Sequence, residues 1–290
     1  DLRGNVAPLN LAVIFGAFVF GIGMQLGGAC ASGTLFTAGG GNARMLVTLA
    51  AFICGSVIGT WHWSQWQDAP GYEAVVLSKN FGIIPAILIS LVLFSLVWVA
   101  AAWNERRRHS SIKSYWKTEI GQSWLRGPWP VIIGALVLAG VNIATLLIAG
   151  RPWGVTSAFA LWGAKFVGLI NIDVTAWEYW QRPGSLESLN QSILANVTSV
   201  MNIGIMLGAL SAASLAGKFA PTFKLPWRSL LAAIIGGLML GYGARLAYGC
   251  NIGAYFSGIS STSMHGWLWF LAAFLGSILG TRLRSYFGMQ

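Results

Sequence analysis

The 290-residue chain is poor in charge and poorest in acids, with eight Asp and Glu and a charged fraction of 9%. A soluble domain of this length needs far more charge to cover its surface, so that class is excluded. Cysteine is scarce as well. Three thiols in apolar surroundings make neither a disulfide framework nor the paired spacing of a metal site, and no cofactor is expected. The acids (Asp1, Asp68, Glu73, Glu105, Glu119, Asp173, Glu178 and Glu187) all fall outside the long apolar runs. That leaves no intramembrane carboxylate for a proton relay or a sodium site. No signal-peptide pattern occupies Asp1–Asn10. The chain opens on Asp1 rather than Met, which points to a leading segment before it.

What the chain has in quantity is apolar: 56% hydrophobic residues, including 15 Trp. Runs long enough to cross a bilayer are expected at Pro8–Leu26, Arg44–Trp63, Phe81–Trp103, Pro128–Ile148, Leu189–Leu215, Trp227–Ala247 and Trp267–Thr281. Shorter helical pieces are expected at Cys30–Ala38, Tyr72–Lys79, Thr156–Ile170 and Asn251–Ser257. The runs are too long and too uniformly apolar for a transmembrane barrel. The fold class is an all-α polytopic membrane protein, read as one transport domain over 1–290. The net charge of +10 does not point to nucleic acid, because most Lys and Arg sit in loops as topology signals. The basic loop Asn104–Arg126, Lys218–Arg228 and the tail after Arg282 read as cytoplasmic, whereas Ser64–Ile84 and Asn171–Ser188 each carry two or three acids with one basic residue and read as external.

Two uncharged breaks interrupt this pattern. LGGACASGTLFTAGGG (Leu26–Gly41) and LAYGCNIGAYFSG (Leu246–Gly258) each follow an apolar run and each hold a cysteine among glycines. Gly21, Gly23, Leu26, Cys30, Gly33 and Phe36 align with Gly241, Gly243, Leu246, Cys250, Gly253 and Phe256. After one inserted residue, Ala51-Phe52, Gly55-Ser56 and Gly59-Thr60 align with Ala273-Phe274, Gly276-Ser277 and Gly280-Thr281. The loop charges run the two copies in opposite directions, the inverted-repeat plan of many transporters. Half 1 spans about 1–103, the cytoplasmic loop 104–127 and half 2 about 128–290. Re-entrant half-helices entering from opposite sides would then form an hourglass.

A short helix starting after Cys30 or Cys250 aims unpaired N–H groups at the centre and suits an anion. Gly28, Ala29, Gly33, Gly249 and Gly253 let backbone approach a ligand, while Ser32, Thr34 and Asn251 cap the turn or donate further bonds. Arg245, just before the second break, is the functional cation of choice; Arg151 and Lys165 are lesser candidates beside spans. Cys54 reads as a small hydrophobe, and Gly16, Gly23 and Gly55 as packing glycines. His62 and His265 read as interfacial hydrogen-bonded side chains.

The motifs GGACASGTLFTAGGG, GRPWGVTSAFALWGAK (Gly150–Lys165) and GYGARLAYGCNIGAYFSGISSTSMHGWLW (Gly241–Trp269) together resemble the YeeE/YedE sulfur-transport family, its thiosulfate permeases most closely. The resemblance implies a bacterial inner-membrane uptake protein with re-entrant half-helices and a pore lined by functional cysteines, which map to Cys30 and Cys250. It also implies a small cytoplasmic TusA-like sulfur carrier as partner. Another cysteine motif of some members, nearer the N-terminus, is absent here. The expected function is import of thiosulfate or a related sulfur anion, relayed by the two thiols and not by catalysis. The alternatives are a transporter or channel for another sulfur or selenium oxyanion, and a membrane sulfurtransferase working through a cysteine persulfide.

Overall fold

A computed structural model describes residues 2–109, 129–221, 223 and 225–289. Among them, seven helical stretches are long and apolar enough to cross a membrane. Helix α1 (Leu11–Gly27) is followed by the short α2 (Ala31–Gly39) and by α3 (Ala43–Trp61). Then come α4 (Ile83–His109), α5 (Val131–Ala149), α6 (Thr156–Leu169) and α7 (Val197–Leu215). Helix α8 (Trp227–Leu246) leads through a π-turn at Asn251–Phe256 and a single turn at Ser257–Ser260 into α9 (His265–Leu283). The chain is thus an α-helical, multi-span membrane protein.

Most boundaries follow local chemistry. Asn10 and Asn42 cap α1 and α3 by accepting from the Val13 and Met45 N–H groups. The expected span from Leu189 starts later, because Asn196 accepts from Ser199 N–H and begins α7 at Val197. Of the expected Tyr72–Lys79 piece only residues 77–79 are helical, in a short helix Leu77–Phe81, while Gly71–Tyr72 pairs antiparallel with Leu9–Asn10. Most of the basic loop, residues 110–126, lies outside the described residues.

The core is four helices, α1, α3, α8 and α9, joined glycine to backbone. A β-carbon on Gly21 would strike the Ala273 carbonyl and the Ser277 N–H; one on Gly241 would strike the Phe52 carbonyl and the Ser56 N–H. Gly276 sits against Phe18 as Gly55 sits against Leu238, and Gly280 meets Ile22 and Gln25 as Gly59 meets Tyr242 and Arg245. A shift of 220 residues (Gly21 to Gly241) carries the α1 member of every pair onto α8. A shift of 221 (Gly59 to Gly280) carries α3 onto α9. The contact order also gives direction. Gly16 meets Gly243–Ala247 while Gly27 meets Gly236, so α1 and α8 are antiparallel; α1 runs parallel to α9, and α3 to α8. The copies are therefore inverted about a pseudo-two-fold between α1 and α8. This register pairs Phe52 with Ala273, one residue from the pairing expected by sequence. Gly16, Gly23 and Gly55 all occupy such crossings, as the packing reading requires.

Segments sort by charge to the two ends of this core. Trp63, Glu178–Gln181 and the start of α1 gather at one end; Arg44, Ser229 and the Arg284–Met289 tail gather at the other. The α4 and α5 helices pack on little else and present their apolar sides outward.

Candidate functional site

The first break uses Gly28 at φ +90°, whose N–H closes on the Met24 carbonyl at 2.9 Å. The freed Leu26 and Gly27 carbonyls accept from Arg44 Nη2 and Nη1, both at 2.7 Å, and Arg44 Nε donates to Ser229 Oγ at 2.9 Å. Arg44 thus does for α1 what water would do at an exposed helix end. Cys30 is the N-cap of α2 but makes no side-chain cap bond. Its sulfur lies 3.5 Å from the Ser32 hydroxyl, and a β-carbon on Gly33 would touch the thiol at ordinary contact distance while pressing on the Ala29 β-carbon. The Thr34 hydroxyl donates back to the Cys30 carbonyl at 2.8 Å, so it caps nothing.

The second break places Tyr248 at φ +58° and Gly249 at φ +149°, then Cys250 in extended conformation. The Ile252 and Gly253 N–H groups are directed at the Cys250 sulfur. Asn5 Nδ2 donates to the Gly253 carbonyl, and the buried Asn251 Oδ1 has no partner. Cys250 belongs to the central apolar cluster with Phe20, Phe52, Phe159 and Trp269; Cys30 packs against it.

Each break adjoins a cavity at its own end of α1. A cavity of about 500 Å³ is lined by Gly28, Ala29 and Cys30, with Arg44, Met45 and Arg284 around them. The other, of about 490 Å³, is lined by Gly249 and Gly253 and by four arginines: Arg3, Arg151, Arg182 and Arg245. No acid lines it. Arg245 is 6% exposed, donates from Nη1 to the Tyr179 hydroxyl at 2.7 Å, and keeps its Nε buried without a partner. Arg182 lies over the Trp63 ring at 5.0 Å and the Tyr179 ring at 5.5 Å. Arg151 donates to Thr198 Oγ1 at 2.7 Å. Burial lowers its pKa from the ordinary arginine value, yet a guanidinium does not surrender its proton in a protein. Four cations around one recess, three of them exposed at its mouth and Arg245 buried at its wall, attract anions into it.

The sequence-flagged residues therefore divide. Gly28, Ala29 and Cys30 line one cavity; Arg151, Arg245, Gly249 and Gly253 line the other, with Cys250 and Asn251 behind them. Ser32, Gly33 and Thr34 form the first turn of α2. Lys165 donates to the Leu189 carbonyl at 2.7 Å and lines neither cavity, and Cys54 is exposed on α3. His62 has the expected partner in Tyr242, whereas His265 is fully buried and meets Ser263 Oγ at 2.8 Å. Sequence reasoning missed Arg3, Arg182, Tyr179, Trp63 and Tyr248.

Two inverted copies, each breaking a long helix at a cysteine beside its own cavity, define a membrane transport protein. Residues 1–279 match the family described as Sulphur transport, and the chain belongs to that family. It is 28% identical to the thiosulfate transporter TsuA of Spirochaeta thermophila over 95% of this chain and 78% of that protein. Identity to TsuA of Escherichia coli is 22%, over 92% and 72%. It is 32% identical to the probable transporter YedE of Escherichia coli over 55% of this chain, an alignment that takes in only 39% of YedE.

Proposed function

We propose that this protein imports thiosulfate across the inner membrane of a bacterial cell. The observation that carries this is the cavity with four arginines and no acid among the described residues, set directly against the Cys250 break. The acid-bearing segments lie at that end and the basic tail at the other. Under the positive-inside rule the arginine cavity is external and the Cys30 cavity cytoplasmic. The short helices are then re-entrant halves, and the two cavities are the mouths of an hourglass whose waist is the apolar cluster around the thiols.

The arginines gather the dianion, and the Cys250 thiol donates a weak S–H bond to its terminal sulfur. The Cys30 thiol, within electrostatic reach of Cys250, takes the anion over and releases it below. Several modest sites in series let the cargo leave as well as enter. Covalent sulfur transfer needs an activating base. Among the described residues the groups acting on the two sulfurs are a serine hydroxyl, backbone N–H groups and the Arg245 cation; none of them is a base, which favours passage over chemistry. Thiosulfate is preferred among sulfur anions because two relatives covering most of this chain bear that name.

Uptake of radiolabelled thiosulfate into proteoliposomes tests this, with sulfate and selenite as competitors. Saturable uptake that sulfate competes weakly is the expected result; equal transport of sulfate would sink the substrate assignment. A small TusA-like sulfur carrier is the expected cytoplasmic partner, and its failure to co-purify with or without thiosulfate would remove it.

A further inference from the structure

The two breaks share a backbone plan and differ most at one position. The 220-residue shift carries Gly28 onto Tyr248. Gly28 holds its left-handed backbone without strain, whereas Tyr248 holds the same region at φ +58° with a bulky ring attached. Glycine is evidently enough for the turn. A tyrosine there persists only if its surroundings fix it and its ring has a task. The ring packs edge-on against Trp63 at 5.3 Å, and Trp63 in turn packs against Tyr179 at 5.6 Å and carries Arg182. Tyr248 lines the arginine cavity, while Cys250, two residues on, does not and is 1% exposed. At the other break there is no ring, and Cys30 lines its cavity directly.

We propose that Tyr248 is the gate of the arginine cavity: its ring closes the step between the arginines and the Cys250 thiol, and must swing aside for an anion to pass. What passes rests on the proposed function; the barrier itself does not.

The test is a chain with Cys250 as its only cysteine (Cys30→Ser with Cys54→Ser) in proteoliposomes, exposed to a charged, membrane-impermeant thiosulfonate reagent from the arginine side. Tyr248→Gly and Tyr248→Asn should raise the Cys250 labelling rate by about tenfold or more, as expected for a shift in gate population. Tyr248→Phe, which keeps the ring, should stay within about twofold of the parent. Unchanged labelling in both the Gly and Asn variants overturns the gate, and so does a rise in Phe equal to that in Gly. Both replacements tolerate left-handed backbone, so failure of both to fold would assign Tyr248 to packing and overturn the gate as well. Labelling needs no thiosulfate. A parent chain that fails the uptake assay therefore still gives a decisive result here.

Discussion

The Gly28–Cys30 and Tyr248–Cys250 breaks have one skeleton and two chemistries. In each, a long helix ends on a left-handed residue, a cysteine follows in extended conformation, and a short helical segment turns away. The first break ties its cation to backbone, since Arg44 spends its donors on Leu26, Gly27 and Ser229. The second keeps cations for the cavity: Arg245 gives one bond to a phenol and leaves Nε unpartnered. In the shared register Arg245 falls opposite Gln25. Repetition supplies a two-sided frame, and divergence at a few positions gives its two ends different cavities, one with four arginines and one beside a backbone-tied Arg44.

The frame itself is where the largest effect is expected. Gly21→Ala and Gly241→Ala each press a methyl group into backbone of the facing helix, which cannot yield as a side-chain tip can. Each should destabilise by about 3 kcal/mol, the upper range for overpacking, read as lost thermal stability in detergent. Gly134→Ala, with open space around it, should be neutral or slightly stabilising. A large effect at Gly241 with none at Gly21 would break the symmetry of the two halves.

Next come the thiols. Removing a donor to a charged cargo costs about 1.5–3 kcal/mol, so Cys250→Ala should cut initial uptake by roughly 30-fold. Cys30→Ala should cut it less, because the Ser32 hydroxyl 3.5 Å away can supply a donor. Serine at either position should recover part of the loss. Serine as inactive as alanine at both would favour a persulfide relay.

How much of this was legible in the sequence depends on how local each signal is. The span class, the repeat and both cysteine turns lie in contiguous composition and spacing, so they could be read directly. Arg245 was legible as a cation beside a break. Arg3, Arg182 and Tyr179 were not, because the first is in an extended lead-in and the others in a loop that reads only as external. Folding alone brings them over the Cys250 turn. Lys165 shows the converse: it borders a span, yet its amine turns to the Leu189 carbonyl. Tyr248 could have been noticed as the residue opposite Gly28, but its positive φ is invisible before the backbone is known.

A smaller effect belongs to Arg245→Gln, which gives the second half the residue of the first. It removes charge from the capturing cavity, so KM for uptake should rise about tenfold with kcat little changed, the signature of lost uniform binding. Arg106→Gln, in the last turn of α4, should change neither. Equal effects at both positions would reduce Arg245 to a packing or interfacial cation.

The smallest expected effect concerns the phenol that Arg245 touches. Tyr179 accepts from Arg245 Nη1 at 2.7 Å while its ring packs against Trp63 and beneath Arg182. Two roles conflict here. The hydroxyl can hold the guanidinium toward the cavity, or it can compete with the anion for one of its donors. Positioning should win, because a neutral phenol accepts weakly beside a dianion, and charge-assisted bonds are about twice as strong as neutral ones. Tyr179→Phe removes one bond that holds the guanidinium and leaves the ring stack in place; with the cargo taking up the freed donor, about 0.7 kcal/mol of positioning is lost. KM should therefore rise about threefold, and the same change should do nothing in an Arg245→Gln background, since the coupling runs through that guanidinium. A fall in KM would mean that the hydroxyl competes with the cargo. An undiminished rise in the Arg245→Gln background would mean that Tyr179 acts through Arg182 and Trp63 instead.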